Sequence, residues 1–130
     1  MIDYRDDARP PAGTIAALYR AAALDRPVDD LARIARMYAA ANLVLTAYDG
    51  AELVGILRAW SDGGFLGYIA DLAVHPDYQR SGIGRELLRR AVASDTEVQF
   101  LLHAAPAAAN YYAHIGWVAR PNSWGWPRER

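Results

Sequence analysis

DLAVHPDYQRSGIG, residues 71–84, runs from a strand into a glycine turn. FLGYIADLAV, residues 65–74, is apolar on both faces and reads as a strand from the middle of a sheet. His75, Pro76 and Asp77 end it. A helical pattern then begins near Gly82, with Ile83, Leu87, Leu88, Ala91 and Val92 spaced to form one buried stripe. Between the two elements lies QRSGIG, residues 79–84. Its glycines let backbone N–H groups approach a ligand, and the start of a helix adds partial positive charge, so the turn suits a phosphate. Taken alone, it reads equally well as a turn that only begins a helix. Two commoner phosphate loops are excluded: a dinucleotide fingerprint needs a third glycine where Leu87 stands, and a P-loop needs a lysine, which the chain lacks.

Working outward, LVLTAY from Leu43 is a β-branched and aromatic run, Asp49-Gly50 is a hairpin turn, and AELVGILRAW is its returning strand. The turn SDGG, residues 61–64, leads to the strand already described. Upstream, residues 1–7 predict a short edge strand, and Pro10, Pro11 and Gly13 break it. A helix is predicted over residues 14–24, with Thr14 as its cap. A second follows, capped by Asp29 or Asp30, with Leu31, Ile34, Tyr38 and Ala39 on one face. Downstream, VQFLLHAA predicts a fourth main strand, residues 107–115 a helix stopped by Gly116, and the remaining WVARPNSWGWPRER one or two short strands. This order predicts an α/β (α+β) architecture: a mixed, mostly antiparallel central sheet flanked by helices, in a single domain over residues 1–130.

The chain of 130 residues is 53% hydrophobic, enough for one core. Its 14 basic and 15 acidic residues nearly cancel, which argues against a nucleic-acid partner. There is no cysteine, and His75, His103 and His114 are scattered, so no metal is expected. The polar, acidic start and the lack of a long apolar run predict no membrane partner and a cytoplasmic location.

The segment QRSGIG resembles the coenzyme motif of the GNAT acetyltransferase superfamily: Gln or Arg, two residues, Gly, one residue, then Gly or Ala. DLAVHPDY resembles that family's central strand and exit loop, and YYAHIGW, residues 111–117, is similar to its Phe-Tyr-x-x-x-Gly-Phe segment. The resemblance spans about residues 43–118. It implies acetyl-CoA as co-substrate and no metal. The backbone of Leu72, Ala73 and Val74 would pair with the pantetheine arm, while Gln79, Arg80, Ser81, Gly82, Ile83, Gly84 and Arg85 would wrap the pyrophosphate. Tyr112 falls four residues before Gly116, the position of the tyrosine that protonates the departing thiolate. Ala105 stands where many relatives have a coenzyme-binding asparagine.

The acceptor amine must lose a proton before attack. Asp71 is the first candidate for the base, followed by Asp62 and His103. Strand alternation sets Asp71 on the side of Ile69 and Ala73 unless a bulge intervenes. These carboxylates favour an acceptor recognised by its positive charge. Tyr38, Trp60 and Tyr68 are candidates for an aromatic pocket, Arg80, Arg85 and Arg89 for phosphate contacts, and Trp124 and Trp126 for sheet closure or a homodimer contact. The expected reaction is acetyl transfer to a primary amine of a small molecule. A protein N-terminus or lysine, or a non-catalytic acyl-CoA-binding role, are the alternatives.

Overall fold

Five strands share one sheet in sequence order in the computed structural model, which describes residues 1–129. The strands are β1 (Ile2–Arg5), β2 (Leu43–Asp49), β3 (Glu52–Ser61), β4 (Leu66–Val74) and β5 (Gln99–Leu102). The first four pair antiparallel in succession, whereas β5 lies parallel to β4. Local chemistry explains the reversals. Gly50 takes φ 61° as the first of the two residues that link the Asp49–Glu52 pair, a place in a tight hairpin that suits glycine. Asp62 accepts the amides of Gly64, Phe65 and Leu66 at 2.9, 2.8 and 3.0 Å, which closes the β3–β4 turn and makes it a structural residue. A parallel partner requires a crossover, supplied by α3 (Ile83–Ala93).

Each face of the sheet has its own core. Against one face α3 packs Ile83, Leu87 and Leu88 onto Leu45, Val54, Leu57 and Ile69. Against the other, α1 (Ala12–Ala21) and α2 (Leu31–Ala40) pack Ile15, Leu18, Tyr19, Ile34 and Tyr38 onto Val44, Ile56 and Ala73. α4 (Ala109–His114) follows β5 and ends before Gly116 at φ 99°. Several expectations shift. α1 starts behind Pro11, so Thr14 is not its cap, whereas Asp30 does cap α2 by accepting the Arg33 amide at 3.0 Å. Leu31, Ala39 and Val92 lie outside the cores, the stripes being narrower than periodicity suggested. Residues 117–129 form no strand; Pro121, Gly125 and Pro127 deny the segment an uninterrupted ladder, and Trp124 and Trp126 stand exposed.

The β3–β4 ladder carries an irregularity that decides what faces where. Arg58 pairs with Asp71 while its neighbour Ala59 pairs with Ile69, so Ala70 is an extra residue on β4. Simple alternation would align Ile69, Asp71 and Ala73. The bulge instead leaves Ile69 on the α3 side and turns Ala73 to the helices α1 and α2, with Asp71 bonded to Tyr19 there.

Close approach fixes the short β4–β5 pairing. A Cβ on Gly67 would stand 2.6 Å from Phe100 Cε1 and 3.1 Å from the Trp60 carbonyl oxygen. Gly67→Ala should therefore cost about 1–3 kcal/mol of stability, as overpacking typically does. Denaturant unfolding checks this, and unchanged stability would show that β5 is free to shift.

Candidate active site

The β4–β5 ladder runs from Leu66↔Gln99 to Ile69↔Leu102 and stops, although β4 continues to Val74. Past that point the outer edge of β4 has no strand beside it. Two side chains cover its ends: Arg26 Nη2 donates to the Ala70 carbonyl at 2.8 Å, and Gln79 Nε2 donates to the Val74 carbonyl at 3.1 Å. The backbone of Leu72 and Ala73 lies between them. An extended ligand can add to such an edge as a further strand. Gln79, expected on the phosphate, instead ties the turn to the strand end.

The turn beyond β4 is wound for an anion. Arg80 at φ 67° and Gly82 at φ 87° both adopt the left-handed conformation, and the Ser81 hydroxyl donates to the Tyr78 carbonyl. Glu86 is the first residue of the following turn with a helical bond, from its amide to the Gly82 carbonyl at 3.0 Å. The amides of Ile83, Gly84 and Arg85 are thus the orphan donors of a helix start. The Ile83 side chain is buried in the core, so only its backbone is available. A Cβ on Gly84 would meet Val74, Leu72 and the Tyr111 hydroxyl at 3.7, 3.8 and 3.9 Å, narrowing the gap where β4, α3 and α4 meet. Glu86 engages Arg89 at 2.8 and 2.7 Å and Arg90 at 2.7 Å. Arg80 and Arg85 have no carboxylate partner among the described residues, which leaves their charges for a phosphate. Open edge, orphan amides and two free guanidiniums together fit a pyrophosphate attached to an extended arm.

Two tyrosines of α4 approach this region differently. Tyr112 is half-buried, with its ring edge-on to Trp117 at 6.0 Å and to Tyr111 at 5.4 Å. Burial, and then the neighbouring Tyr111, push its hydroxyl above the ordinary tyrosine range. Tyr111 carries its hydroxyl beside Gly84. Burial also raises it, but the Arg85 charge acts in the opposite direction.

On the face toward α1 and α2, Asp71 is fully buried and both its oxygens are occupied. Arg26 Nε donates to Oδ1 at 2.5 Å, while Arg58 Nε at 2.6 Å and the Tyr19 hydroxyl at 2.7 Å donate to Oδ2. Tyr19 in turn bonds the Tyr38 hydroxyl. Burial alone would raise the Asp71 pKa, but the Arg58 bond and charge, the Tyr19 bond and the Arg26 charge outweigh it and hold the carboxyl below its usual range. A carboxylate so engaged is a poor proton acceptor; the geometry makes it an anchor and corrects its reading as the base. Burial pushes both Tyr19 and Tyr38 well up.

Beside this network, Tyr68 on β4 bonds its hydroxyl to His103 Nδ1 at 2.7 Å, just past the last β4–β5 pair. Trp60 and Tyr68 have ring centroids 5.8 Å apart, and Tyr68 and His103 5.6 Å. His103 is exposed instead of buried in the core. Sequence reasoning grouped Trp60 and Tyr68 with Tyr38 as an aromatic pocket and named His103 apart from them, but it missed Tyr19, Arg26 and Arg58. Arg58 left one signal: a charge in the middle of the apolar run LVGILRAW.

Asp71→Asn should destabilise the fold by about 3–5 kcal/mol near neutral pH, because it leaves two guanidiniums without their buried partner. The pH dependence has a definite sign. A depressed folded pKa gives stabilisation that is complete above the unfolded value of about 4 and is lost as pH falls below it. Unfolding measured from pH 7 to 3 should show that loss in the native chain and a smaller slope in the variant. Equal slopes would contradict the ion-paired state.

Comparison with known proteins agrees with this geometry. The sequence model of an acetyltransferase (GNAT) domain matches residues 17–123. An uncharacterized N-acetyltransferase of Gracilaria tenuistipitata var. liui is 33% identical over 73 residues, 54% of this chain and 40% of that protein. The chloroplastic GCN5-related N-acetyltransferase 2 of Arabidopsis thaliana is 33% identical over 73 residues, 54% of this chain and 28% of that protein. The chain thus matches less than half the length of these relatives. A probable acetyltransferase from meticillin-resistant Staphylococcus aureus superposes with a TM-score of 0.81 at 23% identity, covering 100% of both chains. A GNAT family acetyltransferase from Brucella melitensis, solved in complex with acetyl-CoA, gives 0.71 at 20% identity, covering 92% of this chain and 84% of that one. At these identities the structures speak for the fold alone. With the domain match spanning most of the sequence, the chain belongs to the GNAT acetyltransferase family.

Proposed function

We propose that the chain is an N-acetyltransferase that moves acetyl from acetyl-CoA to a primary amine of a small molecule in the cytoplasm. The observation that carries this reading is the meeting of an unpaired β4 edge with a glycine turn whose orphan amides and free arginines suit a pyrophosphate. The Brucella melitensis acetyltransferase was solved with acetyl-CoA, and here the coenzyme would lie along Leu72, Ala73 and Val74 with its phosphates at residues 80–85. The coenzyme supplies an acyl group on a thiol leaving group.

In the transfer, a carbon–nitrogen bond forms as the carbon–sulfur bond breaks. One proton must leave the nitrogen and one must reach the sulfur. His103 is our choice for the first task, since its exposed ring sits where the two strands part while Asp71 is buried and engaged by Arg26, Arg58 and Tyr19. Tyr112 is our choice for the second, on its position before Gly116. Its raised pKa makes proton transfer to a thiolate, whose parent thiol ionises near ~8.5, uphill unless the bound state lowers it. Tyr111 is the second reading, favoured by its hydroxyl beside Gly84 and by the Arg85 charge.

The test follows free thiol release from acetyl-CoA across a panel of amines. Release that requires an amine is expected, and its absence with every amine would remove the catalytic reading. Tyr112→Phe should then lower kcat by ~10²-fold with little change in acetyl-CoA affinity, and Tyr111→Phe should lower it much less. The reverse order would transfer the proton-donor role to Tyr111.

A further inference from the structure

The buried cluster on the α1–α2 face is unbalanced. Asp71 supplies one negative charge, and Arg26 and Arg58 supply two positive ones. Other nearby acids do not restore the balance: Asp29 is paired with Arg20 at 2.6 Å, and Asp25 is exposed and touches Arg26 only through its carbonyl. Arg26 spends each of its three nitrogens on a protein acceptor, namely Asp71, the Asp25 carbonyl and the Ala70 carbonyl.

Arg58 differs. Its Nε bonds Asp71, but neither terminal nitrogen has a protein acceptor among the described residues. The residue is only 9% exposed, and its guanidinium carbon lies 5.8 Å from the centre of the Tyr38 ring and 5.5 Å from that of Trp60. Among the described residues no fully buried side-chain nitrogen or oxygen lacks a partner, so the two terminal nitrogens reach solvent through a small opening. Held at one end by Asp71 and in contact with two rings, the guanidinium presents a planar pair of donors. That is the shape that receives a carboxylate through two parallel hydrogen bonds. The opening is flanked by the row Trp60, Tyr68 and His103, and Arg58 lies opposite Asp71, next to the point where β4 and β5 part.

We propose that the acceptor carries a carboxylate close to its amine and that the terminal nitrogens of Arg58 bind it. This rests on the acetyl-transfer reading and narrows it to amino acids and related amino-carboxylates. With the carboxylate on Arg58, the amine is directed along the aromatic row toward His103 and the open edge of β4. The expectation of an acceptor recognised by acidic residues is thereby reversed: Asp62 is spent on its turn and Asp71 on two arginines.

Two measurements test the assignment, and only the first needs catalysis. Amino acids and their carboxamides are compared as acceptors by thiol release; kcat/KM should favour the acids by at least tenfold, and Arg58→Lys, which keeps a charge for Asp71 but loses the planar donor pair, should collapse that ratio. Second, N-acetyl amino acids and their amides are titrated calorimetrically into the unaltered protein, with and without CoA. Tighter binding of the acids supports the carboxylate site even if no turnover is seen. Equal binding of acid and amide, or binding of neither, overturns it. Turnover of amines without preference for the acids also overturns it while leaving acetyl transfer intact.

Discussion

The separation of β4 from β5 after Ile69 is the constraint on which the rest of the site depends. Backbone groups on a strand edge seek partners, so an edge left open within a sheet must be held open. Arg26 does this by giving one guanidinium nitrogen to the Ala70 carbonyl and another to Asp71. The bulge at Ala70 cooperates, since it turns Asp71 toward the helices where Arg58 and Tyr19 meet it. An ion pair buried this way has a large desolvation cost, and well-packed apolar residues can serve stability as well or better. What it adds here is position: two arginines and two tyrosines are fixed around one carboxylate at the mouth of the gap.

The two faces of the sheet divide the work proposed for them. On the α3 side, Glu86 engages Arg89 and Arg90, whereas Arg80 and Arg85 at the head of the helix have no carboxylate partner among the described residues. Positive charge is thus concentrated where orphan amides already point. On the α1–α2 side the excess charge sits on Arg58, against the rings of Tyr38 and Trp60 and near the Tyr68–His103 pair. The proposed coenzyme and acceptor would enter from opposite faces and meet at the parted strands.

Much of this was legible from residue order alone. Asp49-Gly50, the apolar run through residues 65–74 and the stripe from Ile83 to Ala91 determine the hairpin, the central strand and the crossover helix, because each rests on local periodicity. The glycine turn was legible for the same reason. What escaped was long-range. Arg26 lies 45 positions from Asp71 and Tyr19 lies 52, so no local pattern could join them. The bulge was foreseen only as a possibility, yet it alone decides the direction of Asp71. The tail, with Trp124 and Trp126, has the length for one or two short strands but contains the breaks that prevent a ladder.

The central claim is that an acyl-coenzyme lies on the open β4 edge with its phosphates at the start of α3. Amide chemical shifts followed during titration with acetyl-CoA test it most directly. The account predicts the largest changes at Leu72, Ala73, Val74, Gly82, Ile83, Gly84 and Arg85, with little change on the outer faces of α1 and β1. Saturable binding that leaves those amides unmoved, or moves mainly residues far from the parted strands, would contradict it.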